Sequence, residues 1–162
     1  MGTWDLGPFD NDTAADFSGR LDKAADGERE GIIREALARA AGTDGFLDSD
    51  EAAEALAAAA LVAAQRPGGE AVLSPYGPKK PLPALPADLG GLAVQALDRV
   101  VAEPSEMMNL WAAEGAGDLW RTGVLRLRNI LVADGLNDAD GVNDADGVND
   151  AGGGDRGDGA PA

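Results

Sequence analysis

The chain of 162 residues is long enough for one domain, or one domain with a tail, and a domain of this size buries about two thirds of its unfolded surface. It contains no cysteine and no histidine, so disulfides, thiolate nucleophiles, the commonest general base and the commonest metal ligand are all missing. A formal net charge of -16 argues against binding nucleic acid or anionic membranes, both of which need clustered Lys and Arg, and against an acidic partner, while it admits a basic one.

Gly2, Thr3, Trp4, Asp5, Leu6, Gly7, Pro8 and Phe9 form an irregular arm that holds two of the aromatic residues ahead of any helix. Glycine and proline set its turns, and Trp4 and Phe9 are large enough to pin it to a core. Asp10, Asn11 and Asp12 offer N-cap side chains for a first helix over about 12–25, with Ala14, Phe17, Leu21 and Ala24 on one face. Asp26-Gly27 is expected to break it. A second helix, about 28–41, turns Ile33, Leu37 and Ala40 inward and carries Glu30 with Arg34, and Glu35 with Arg39, at helical spacing outside.

Asp48, Ser49 and Asp50 cap a third helix that runs to about Gln65. Nine of the thirteen residues from Ala52 to Ala64 are alanine, which gives high helix propensity, a thin cross-section and no polar face, the pattern of a helix buried on several sides. Pro67 to Pro86 holds six of the nine prolines and reads as a stiff crossover strapped to the bundle by Tyr76, Leu82 and Leu85. A fourth helix, from about Pro86 or Ala87 to Glu103, has an amphipathic stripe of Leu89, Leu92, Ala93, Ala96, Leu97, Val100 and Val101. Beyond Pro104 a short fifth helix, 105–114, turns Met107, Leu110 and Trp111 inward. A last helix, about 118–133, buries Trp120, Val124, Leu127 and Leu131 and sets Arg121, Arg126 and Arg128 on its polar side. No convincing strand is present; the best candidate, Glu70 to Ser74, is short and has no partner.

From Asp134 the composition changes to three near-identical hexapeptides beginning at Gly135, Gly141 and Gly147. This segment, 134–162, has eight Asp and one Arg, hence -7 of the charge, while residues 1–133 hold the other -9. Low hydrophobicity with high charge predicts a disordered acidic tail. The repeats lack calcium-loop ligands: with Gly147 in the glycine position, Val142 falls where the first acidic ligand belongs, and no Glu follows. No basic segment followed by an apolar run opens the chain, and the longest apolar run, Ala55 to Ala64, is too short for a membrane span, so a cytoplasmic location is expected.

The opening residues resemble the signature of a bacterial family known as domain of unknown function 4259, whose members begin with a G-x-W-G-x-G-x-F-x-N-D-x-A-x-D pattern. Its recurring residues map to Gly2, Trp4, Gly7, Phe9, Asn11, Asp12, Ala14 and Asp16, with Asp5 where the pattern has a glycine. The resemblance implies a compact helical domain whose arm matters, and no activity.

These readings define an all-α domain over residues 1–133, a single bundle of five or six helices with an anchored N-terminal arm and the disordered tail behind it. The expected function is a non-enzymatic binding module, for a basic protein in the manner of immunity proteins, with no cofactor, catalytic residue or resident metal. The alternative is a magnesium-dependent hydrolase that uses the carboxylates of Asp10, Asp12 and Asp16. The competing explanation for those three is capping and the helix dipole.

Overall fold

Alanine is the best helix former and the smallest side chain that is, so a helix made of it can be surrounded closely by others. The computed structural model describes residues 8–9, 11–69, 77–80 and 82–147, with side chains given as far as Ala133. Among them are six helices: α1 Asp12–Lys23, α2 Asp26–Ala41, α3 Ser49–Ala64, α4 Asp88–Val100, α5 Glu106–Ala113 and α6 Gly117–Gly147. The fold is all-α. The alanine-rich α3 is its axis: Ala52, Ala53 and every residue from Ala55 to Ala63 is buried, and each of the other five helices packs against it. Phe17 and Leu21 come to it from α1, Ile33 and Leu37 from α2, Leu89 and Leu97 from α4, and Trp120, Val124 and Leu131 from α6.

Short polar fastenings hold the connections. After α3, the Gln65 amide donates to the Pro83 carbonyl at 2.9 Å and accepts from the Leu85 N–H at 2.8 Å, while Arg66 donates to the Pro86 carbonyl at 2.9 Å. These bonds hold residues 83–86 along the bundle, with Leu85 buried and Leu82 packed on the core, as expected of a strap. Tyr76, its third expected anchor, and the strand candidate Glu70 to Ser74 lie outside the described residues. At the other end of α3, the loop before it pairs with the turn before α5. Leu47 donates to the Pro104 carbonyl (3.1 Å) and accepts from the Glu106 N–H (2.9 Å), a single parallel bridge between Leu47 and Ser105. α5 closes with a Schellman turn in which Ala116 N–H reaches the Trp111 carbonyl and Gly115 N–H the Ala112 carbonyl. Gly115 takes φ +77, which its lack of a Cβ permits.

Three expectations are corrected. Asp26-Gly27 does not break a helix; it opens α2, because the chain already turns at Ala24 and Ala25, both extended, and Glu28 accepts from the Ala25 N–H. Leu110 does not face inward: α5 is one short helix packed mainly through Met107, and Leu110 is 48% exposed. The last helix does not stop near Ala133; its backbone continues to Gly147. Helix propagation costs less than nucleation, so a segment already set by the packed turns of Trp120 to Leu131 extends into residues of modest propensity. The remainder of the acidic tail, 148–162, lies outside the described residues.

The close packing around α3 makes a direct prediction. Ala58→Leu should lower unfolding free energy by about 1–3 kcal/mol, because the extra volume has no space to enter. Ala38→Leu, on the exposed side of α2, should stay within ~0.5 kcal/mol of the parent. Urea denaturation of the two variants compares them.

Candidate functional site

The amino-terminal motif supplies the first candidate site, and its described residues act on the fold. Asn11 is the residue that caps α1: its side-chain oxygen accepts from the Ala14 N–H at 2.7 Å and its own carbonyl from Ala15 at 3.1 Å. Asn11 is buried, as are Phe9 and Ala14, the last on the face that carries Phe17 and Leu21 into the core. Asp12 and Asp16 project from the exposed side of α1, with Asp12 in the first turn, where a negative charge suits the helix dipole. Gly2, Trp4, Gly7 and Asp10 lie outside the described residues. The structure therefore brings Phe9, Asn11 and Ala14 together as an anchor for α1, with Asp12 and Asp16 outside it. Among the described residues no group of three or more His, Cys, Asp or Glu is placed to hold a metal ion.

Ion pairs then connect α1 to its neighbours. Thr13 donates to Asp50 at 3.0 Å, and Arg20 reaches Glu54 at 2.8 Å while lying 5.3 Å above the Phe17 ring. Glu54 also receives Arg39 from α2, so one carboxylate of α3 joins both flanking helices. Arg34 bridges Glu30 and Asp88, which ties α2 to the start of α4 and holds the Asp88 carboxyl below its ordinary range through the Arg34 hydrogen bond. Arg128 of α6 pairs with Asp98 of α4. Arg29 is the buried cation of the bundle, 3% exposed, with Asp26 at 3.3 Å.

Asp22 is the carboxylate with the clearest structural duty. It accepts from the backbone N–H of both Lys79 and Lys80 at 3.0 Å, which fixes the basic turn of the crossover against α1. Desolvation opposes its charge, but the two N–H donors, with Arg29 and Lys80 behind them, outweigh that and leave its carboxyl below the usual value.

The second candidate site is the junction at the α5 end of α3. Arg99, from the last turn of α4, donates to four carbonyls: Thr43 at 2.8 Å, Ala102 at 3.0 Å, Pro104 at 3.0 Å and Gly45. Its planar fork thereby binds the α2–α3 loop to the α4–α5 turn. Ser105 caps α5 and donates to the Val100 carbonyl, and the Glu106 carboxylate accepts from Ser49 N–H in the first turn of α3. Between these fixed points Phe46 stands 56% exposed, with Asp44 and Asp48 on either side in the loop.

Sequence reasoning did not find Asp22, Gln65, Arg66, Arg99 or Glu106. Each binds backbone far away in sequence, and neither periodicity nor capping patterns carry such a signal. Arg99 left one trace: a cation in the last turn of a helix, where carbonyls are free.

An all-α domain built on a buried alanine helix, with a capped and anchored first helix, is the class this arrangement defines. The chain belongs to the family described as "Domain of unknown function (DUF4259)", whose model matches residues 2–123. No curated protein and no solved structure matches it.

Two measurements follow. Asn11→Ala should cost about 1 kcal/mol of stability, whereas Asn11→Asp, which keeps the accepting oxygen, should lose less; thermal melts rank them. Asp22 has a depressed folded-state pKa, so its contribution is present above the unfolded carboxylate value and is lost as pH falls through the folded value. Asp22→Asn should therefore destabilise the protein at neutral pH and narrow its gap from the parent in acid, read from urea midpoints across the acid range.

Proposed function

We propose that the protein is a non-enzymatic cytoplasmic binding module for a basic protein partner, in the manner of an immunity protein that neutralises a basic toxin. The observation that carries this is the disposition of charge. The described Arg side chains at positions 20, 29, 34, 39 and 128 are engaged by carboxylates of the same chain, and Arg99 by backbone carbonyls. Carboxylates such as Asp12, Asp16, Asp44, Glu51, Glu103 and Glu114 have no ion pair among the described residues. An excess of anionic side chains without internal counter-charge favours association with cations and speeds encounter with a basic surface. The cytoplasmic placement rests on the sequence, and no described helix is long and apolar enough to cross a membrane.

The test is capture of partners from native cells with the full chain, followed by the salt dependence of the purified complex. The expected partner has a basic isoelectric point and its affinity falls roughly tenfold or more between about 0.05 M and about 0.3 M salt. A neutral or acidic partner, or an affinity indifferent to salt, contradicts the proposal.

A further inference from the structure

Residues 40–65 and residues 100–120 each contain no Lys or Arg. Each is rich in acids, Asp44, Asp48, Asp50, Glu51 and Glu54 in the first and Glu103, Glu106, Glu114 and Asp118 in the second. They are far apart in sequence, and the fold brings them together through the Leu47–Ser105 bridge, the Glu106 carboxylate on Ser49 N–H and the fork of Arg99. Arg99, which precedes the second segment, spends its donors on four backbone carbonyls, and Arg121, which follows it, is exposed.

Among the described residues the same two segments hold three of the four exposed large apolar side chains: Phe46 at 56%, Leu110 at 48% and Leu119 at 67%. Phe46 sits at the opening of α5, Leu110 follows Glu106 by one turn on the same side of that helix, and Leu119 lies in the first turn of α6, just past the corner. α5, at eight residues, is about 12 Å long, which a helix of a partner covers in two or three turns. Isolated exposed leucines need no explanation, but an exposed aromatic and two leucines within a predominantly acidic margin have the composition of an interface with an apolar centre and a polar rim.

We infer that the α5 end of the molecule, with Phe46, Leu110 and Leu119 as its apolar centre and Asp44, Asp48 and Glu103 in its rim, is the docking surface for the partner, and that the partner presents an amphipathic helix with a basic margin. This rests on the proposed function and adds to it a location and a shape. Charge complementarity selects the occupant: a second copy of the chain would bring the same acidic rim against itself, and an acidic or phosphorylated ligand would be repelled.

The test uses the full chain and a fluorescein-labelled synthetic helix of Leu and Lys with the leucines at i, i+3, i+4 and i+7, read by fluorescence anisotropy. Phe46→Ser and Leu110→Ser should each weaken binding roughly tenfold, as removal of an anchoring side chain does. Asp44→Asn with Glu103→Gln should weaken it more than Gln95→Lys with Ala84→Lys, which changes the net charge equally at exposed positions elsewhere. Phe46 is over half exposed, and circular dichroism of each variant confirms that the fold is retained. Binding that is salt-sensitive but indifferent to Phe46→Ser and Leu110→Ser overturns this surface and leaves the basic-partner reading standing. No binding of the peptide at low salt overturns both. Sedimentation showing a dimer that Phe46→Ser dissociates would also overturn the inference, since the surface would then be a self-interface.

Discussion

The arrangement of the bundle follows from burying a helix that is mostly alanine. With Ala52, Ala53 and Ala55 to Ala63 inaccessible, α3 must be touched on all sides, and the five other helices are arranged to do so. Small side chains let neighbours approach the backbone closely, which raises packing density and contact, but leave little apolar area on α3 itself. The larger burial comes from the partners: Phe17, Leu21, Ile33, Leu37, Leu89, Leu97 and Trp120 surround the alanines and supply most of the hydrophobic stabilisation. At the turn that ends this helix the backbone folds back tightly: a Cβ on Gly69 would lie 1.8 Å from the Ala63 carbonyl oxygen.

A central helix whose polar groups are confined to its first turns cannot hold all the loops around it, and that work passes to side chains at its ends. Gln65 and Arg66 fasten the proline-rich crossover at one end, while Glu106 and Arg99 join two loops at the other. All four bind backbone groups, which satisfies donors and acceptors that loops would otherwise leave to water. One consequence is functional: a cation that saturates carbonyls is not available to neutralise carboxylates. The acids around Phe46 thus stay uncompensated because of how the junction is built.

The helices were legible in the sequence where one face differed from the other or where composition was extreme. The stripe from Leu89 to Val100 and the alanine run gave period and burial directly, and Asn11 was among the expected caps. Asp26-Gly27 misled because a glycine in a first helical turn costs little, and the actual break at Ala24 and Ala25 has no compositional mark. Leu110 misled because an eight-residue helix with Met107, Met108, Leu110 and Trp111 is apolar on more sides than it can bury. Phe9 was expected as an anchor beside Trp4, which lies outside the described residues, while Asn11 was expected as a cap and Ala14 on the inner face of α1. The junction around Arg99 was not, since four hydrogen bonds to the backbone of distant loops depend on tertiary placement alone.

Amide hydrogen exchange of the native protein, resolved by residue, shows whether the alanine helix is enclosed. If α3 is the enclosed axis of the fold, the amides from Ala57 to Ala63 should exchange only through global unfolding and share one opening free energy, above that of α5. Exchange in the middle of α3 as fast as in α5, or faster, would mean that the alanine helix opens by itself and that the bundle is organised around something else.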